Sequence, residues 1–196
     1  MKILIIILIS YLIGSIPNAF IVSKILKKVD ISKVGEGNVG ARNVWHVVSP
    51  FWGIFVFFLD FLKGLIAFLI SFYFLKNENL IWLGGFLCIL GHGFPIFLKF
   101  RGGKGLATAT GFLFGKFPEI TLIGIFIYLI IFLISKNFHI SVSLAIILTI
   151  LFIFPLFKKS LIEILNTVIF LLWLGIKRLI DEPYMKKIKL SNSYWK

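Results

Sequence analysis

Apolar runs of about 20 residues recur along this chain between short, basic loops, the pattern of helices that each cross a bilayer core. They cover 3–22, 51–75, 80–98, 120–134, 140–157 and 161–176. A shorter stretch, 106–114, is bounded by Gly105 and Gly115; at about 1.5 Å per residue it reaches roughly halfway through such a core. None of the runs alternates with the period of two that a membrane β-barrel requires. The first is notched by Gly14-Ser15-Ile16-Pro17-Asn18, a polar break tolerated at membrane depth only where it faces protein or a cavity. It starts like a secretion signal but lacks a small-residue cleavage site, so it reads as a retained span. Asp60 and Lys63 share one face of the second run. Such a pair neutralises itself and faces the bundle, as helix glue or as the floor of an active site.

Counting 106–114 as a span gives seven, with the N-terminus outside and the C-terminus cytoplasmic. Fifteen of the 21 Lys and Arg residues, Lys189 and Lys196 among them, then lie on the inner side against five outside, as the positive-inside rule asks. A re-entrant 106–114 would leave the basic tail outside. The expected fold is therefore an all-α, polytopic membrane protein in one domain, 1–196. Composition agrees: 59% hydrophobic with 23 phenylalanines, and a mean hydropathy of +1.02. The net charge of +13 would suggest nucleic acid in a soluble protein. Here the loops are too short for a groove-reading module, and anionic lipid head groups and phosphorylated substrates are the expected partners instead. The single Cys88 lies inside an apolar run, and the histidines are scattered, so neither a disulfide framework nor a metal site is expected.

With seven spans, three polar clusters meet on the cytoplasmic face: 35–46, 92–110 and 177–182. The richest is Gly91-His92-Gly93-Phe94-Pro95, followed by Lys99, Arg101 and Gly102-Gly103-Lys104-Gly105, then Ala107 and Thr108. Glycines let amides approach a ligand, a helix start attracts anions, and Lys104 adds a full charge: a phosphate cradle at a membrane surface. It is not a P-loop, because Leu98 and Gly105 occupy positions where that motif has glycine and a magnesium-ligating hydroxyl. Gly35-Glu36-Gly37-Asn38-Val39-Gly40 matches GxGxxG in letters only, since no strand precedes it. It reads as a tight turn offering amide donors, with Asn38 and Asn43 nearby. No His-x4-Asp is present, and no Ser-His-Asp order is convincing.

These residues resemble the bacterial integral-membrane glycerol-3-phosphate acyltransferases that use acyl phosphate. The likeness runs through Gly14-Ser15-Ile16-Pro17, Gly37-Asn38-Val39-Gly40-Ala41, Asn43-Val44, Asp60 with Lys63-Gly64, and above all Gly91-His92 to Thr108. It implies seven helices in the bacterial inner membrane and a site facing the cytoplasm. It also implies transfer of a fatty acyl group from acyl phosphate to glycerol 3-phosphate, giving lysophosphatidic acid, with no cofactor. Lys104 and His92 become the catalytic candidates. Substrate binding falls to Glu36, Gly37, Asn38, Gly40, Arg42, Asn43, His46, Gly102, Gly103, Gly105, Thr108, Lys177, Arg178 and Glu182. The chain departs from the family where Glu36 replaces a serine, Arg42 a threonine and His46 an arginine, and where Leu172 and Gly175 replace a histidine and an asparagine. Arg42 is placed to stand in for the missing arginine. The departures leave two alternatives open: a paralogue acylating another polar acceptor, or a non-enzymatic phospholipid-binding protein.

Overall fold

The computed structural model describes residues 2–191, with side chains through Ile188; Lys196 and the Lys189 side chain, counted above for topology, lie outside that range. The described chain is helical. The first run breaks where the notch predicts, into α1 (Lys2–Ser15) and α2 (Asn18–Lys27). A loop then leads through α3 (Ala41–Val47) into α4 (Pro50–Leu75) and α5 (Glu78–Gly93). After a second loop come α6 (Leu106–Lys116), α7 (Pro118–Ser135), α8 (Phe138–Leu148), the short α9 (Phe154–Leu156) and α10 (Leu161–Ser191). Five stretches are long and apolar enough to cross a membrane: Lys2–Lys27, Pro50–Leu75, Glu78–Leu98, Pro118–Ser135 and Phe138–Leu156. Helix boundaries are set locally. Ser49, Asn77 and Asn137 accept backbone N–H bonds at the starts of α4, α5 and α8. Lys28, Lys76 and Lys136 end α2, α4 and α7 in the left-handed region, where a cation also complements the helix dipole.

Two differences from the sequence expectation have physical causes. Between α8 and α9 the chain is wound as a π-turn over Thr149–Ile153, where a periodicity reading sees only an unbroken apolar run. And α10 continues well past Ile176, through Pro183. Its second half is held by ion pairs one turn apart, Lys177–Asp181 and Glu182–Lys186. The Tyr184 hydroxyl also donates to the Ser32 carbonyl, 3.1 Å away.

The helices pack in two manners. Where α4 crosses α6, a Cβ on Gly64 would overlap the Thr108 carbonyl, and one on Gly111 would overlap that of Phe61; Gly14 and Gly91 serve the crossing of α1 with α5 in the same way. Backbones in contact are how helices associate without a hydrophobic drive between them. On the other side, Trp82, Phe112, Phe117, Phe154 and Phe170 interlock as an aromatic cluster joining α5 and α6 to α10. A smaller cluster of Val22, Ile31, Val39, Val44, Val47 and Val56 roots the first loop on α2, α3 and α4.

Candidate active site

The break between α1 and α2 creates the first polar feature of the interior. Pro17 cannot donate to the helical ladder, which leaves carbonyls open at membrane depth. Lys63 fills them: its ammonium donates to Gly14 O at 3.1 Å and Ile16 O at 2.8 Å, and pairs with Asp60 at 3.0 Å. Those contacts use all three of its protons. Asp60 also accepts from Asn18 Nδ2 at 3.0 Å. The Nδ1 atom of His92 lies 3.2 Å from the Lys63 ammonium and 3.4 Å from the Thr108 hydroxyl. Asp60, Lys63, His92 and Thr108 are all buried. The pair is thus glue for the broken helix, and Asp60 and His92 also line the main cavity.

The first loop is folded around Asn43. Its Nδ2 reaches the carbonyls of Ile31, Val34 and Asn38 at 2.9–3.0 Å, and its Oδ1 accepts the Glu36 N–H at 2.7 Å. Asn43 is therefore spent on the loop, and its effect is to lodge Glu36 in the interior at 1% exposure. The Glu36 carboxylate takes Asn38 Nδ2 at 2.9 Å, lies 3.2 Å from Arg42 Nη1 and 4.0 Å from Lys104 Nζ. Arg42 also meets His139 Nε2 at 3.0 Å and covers the Phe138 ring.

The second loop turns back on the end of α5. Gly102 N donates to Gly93 O and Gly103 N to His92 O, each at 3.1 Å. A Cβ on Gly103 would overlap the His92 ring and sit 2.6 Å from Val39 O, so only glycine lets the two loops touch here. These two amides are consumed by the turn. The amides at the first turn of α6 have no partner within the helix, and donors of that kind suit an anion. Gly105, at φ +88°, delivers Lys104 to that turn.

The two loops close the head of a cavity of ≈330 Å³. Glu36, Asn38, Gly40, Arg42, His92, Lys104 and Gly105 line it, with Asp60; its walls are Phe57, Ile125, Tyr128, Phe138, Val142, Ala145 and Ile146. Of the residues expected from the sequence, Asn43, Gly103 and Thr108 support this cavity from behind. Gly37 and Gly102 instead line a smaller hollow with Arg101, Asp181 and Tyr184, so α10 does converge on both loops. Lys177 is buried there beneath the Phe94 ring and bonded to Asp181; burial raises the pKa of the Asp181 carboxyl, and Lys177 opposes that rise. Three further expected residues lie apart from both of these hollows: Arg178 and His46 are exposed, and Glu182 is tied to Lys186 at 3.0 Å. His46 lines a separate hollow with Arg42 and Lys136. Leu172 is exposed, and a side chain at Gly175 would meet nothing within 4 Å. His139 and Tyr128 are the residues that sequence reasoning missed. They enter only because α7 and α8 fold over α3.

Fold and cavity together define a helical membrane protein that sets two partly buried cations, Arg42 and Lys104, at one end of a largely apolar hollow. Residues 4–182 match the family described as glycerol-3-phosphate acyltransferase, and the chain belongs to that family. It is 40% identical over 158 residues to the glycerol-3-phosphate acyltransferase of Aquifex aeolicus (strain VF5), covering 79% of this chain and 80% of that one. With the enzyme of the same name from Wolbachia pipientis subsp. Culex pipiens it shares 39% over 171 residues, 87% and 88% of the two chains. The crystal structure of PlsY (YgiH), an integral membrane glycerol 3-phosphate acyltransferase, matches in its glycerol 3-phosphate form with a TM-score of 0.82 at 30% identity, over 96% of this chain and 94% of that one. Its lysophosphatidic acid form matches with a TM-score of 0.80.

Proposed function

We propose that the chain transfers a fatty acyl group from acyl phosphate to glycerol 3-phosphate, as its family membership and its cavity support. The observation that carries this is the meeting of Lys104 and Arg42 at the polar head of a cavity whose farther walls are mainly apolar, a shape suited to a phosphate bearing a fatty chain. The acceptor oxygen attacks the acyl carbonyl carbon, and the bond from that carbon to the phosphate oxygen breaks. Lys104 and the first amides of α6 neutralise the leaving phosphate; Arg42, steadied by Glu36, His139 and Phe138, holds the acceptor's anion. The hydroxyl proton has two acceptors in this arrangement, His92 and the substrate's own phosphate. The pH–rate profile of His92→Gln against wild type separates them.

In the membrane, α6 and the apolar half of α10 complete seven spans, with the loops and Lys104 on the cytoplasmic side of a bacterial inner membrane. In a reconstituted assay, Lys104→Ala lowers turnover of acyl phosphate by about 10²–10³-fold with the thermal transition kept. Acyl-thioesters are poor donors. Retention of more than a few per cent of turnover removes Lys104 from this role.

A second reading, acylation of a different polar acceptor, rests on Glu36, a carboxylate already lodged against Arg42, the cation an acceptor phosphate would use, and near Lys104. A panel of phosphorylated and unphosphorylated polyols decides between the two. Clear preference for glycerol 3-phosphate eliminates the second.

A further inference from the structure

The main cavity does not stop at the first turn of α6. A second hollow of ≈110 Å³ lies between α6, α7, α8 and α10, and Leu106, Thr110, Ile125, Ala145 and Ile146 line both, so the two spaces adjoin across a wall of those side chains. Beyond that wall the lining side chains are hydrocarbon, aromatic or threonine. The far end is the edge-to-face pair Phe117–Phe154, with ring centroids 5.3 Å apart. From Leu106 to Phe117 the helix rises about 16 Å, roughly half of a ~30 Å bilayer core, the depth of one leaflet. Along the way α7 passes α8 at Gly124, where a Cβ would come 3.0 Å from Thr149 Oγ1. Thr149 opens the π-turn, and its buried hydroxyl makes no hydrogen bond. π-turns inside α-helices are rare and cluster at functional sites.

We propose that this second hollow is an acyl-chain gauge. It takes the terminal methylenes of the fatty chain whose head lies at Lys104; the Phe117–Phe154 pair sets the longest chain accepted, and Gly124 keeps the passage open. The third hollow, of ≈440 Å³, starts beside Arg42 but is lined by Arg42, His46 and Lys136 as well as rings. Cations suit a head group rather than a methyl end. The gauge rests on the acyl-transfer reading above, and its test separates the two.

Relative kcat/KM is measured for a series of acyl phosphates of increasing chain length, in wild type, Gly124→Leu, Phe154→Leu and Phe132→Ala. Gly124→Leu moves the preferred chain shorter and costs the longest donors about tenfold or more, while the shortest are spared. Phe154→Leu moves the preference longer, and Phe132→Ala, in the third hollow, leaves the ranking unchanged. If Gly124→Leu yields no folded protein, Leu171→Ala, which also enlarges the second hollow, carries the test with Phe154→Leu. A ranking moved only by Phe132→Ala, or by none of the variants, overturns the gauge. Wild type that turns over no acyl phosphate of any length overturns the acyl-transfer reading itself.

Discussion

The α4–α6 crossing and the α7–α8 hairpin are both built of predominantly apolar sequence yet packed in opposite ways. At the first, glycines bring backbones into contact and ionisable groups sit in the seam: Asp60, Lys63 and His92 are each under 10% exposed. At the second, only 6% of the apolar window of Pro118–Ser135 and 17% of that of Phe138–Leu156 is buried, against 39% for Pro50–Leu75 in the first. The contrast teaches where each kind of work is done. Charges at membrane depth need every proton and lone pair met, which demands a rigid, close-fitting frame. A fatty chain needs only apolar walls, and the loosely packed half supplies them.

Substitutions in the two halves should therefore differ sharply. The largest effect is expected for Gly64→Val, which pushes a side chain into the Thr108 carbonyl and forces α4 off α6; no monodisperse protein should be recovered in detergent, and a normal chromatographic profile would refute the seam. Next comes Lys63→Met. It strands buried Asp60 and uncovers the Gly14 and Ile16 carbonyls, at about 3–5 kcal/mol, read from thermal unfolding; adding Asp60→Asn should recover part of the loss if the two act as one pair. Glu36→Gln keeps the shape and an acceptor for Asn38 but releases Arg42, which is 31% exposed and can recruit water. A cost of about 1–2 kcal/mol is expected, and an unshifted transition would show that Glu36 does not hold Arg42. The smallest effect belongs to Leu133→Ala on α7, 65% exposed, expected within about 0.5 kcal/mol of wild type. A large loss there would erase the contrast between the halves.

Much of this was legible in the residues. The broken first helix was announced by Gly14 to Asn18, and the long apolar runs became helices. Other parts were not. Asn43 read as a ligand-facing amide, but its four hydrogen bonds all close the first loop. The glycine amides at 102 and 103 read as phosphate donors, but they make the turn. His46 and Arg42 lie one helical turn apart on α3, and only the fold over α8 takes Arg42 into the cavity while leaving His46 outside its lining. Glu182 shared a motif with Lys177, yet its ion pair with Lys186 draws it along α10.

Hydropathy along the chain was enough to specify a helical membrane protein, because transfer between water and hydrocarbon acts on each residue with little regard to its neighbours. Family motifs added the chemistry. Which side chains share a cavity, and which amides remain for an anion, was settled by helix crossings between residues 97 positions apart, as with Arg42 and His139. Such contacts depend on pairwise fit in three dimensions, a quantity that no local pattern of residues contains.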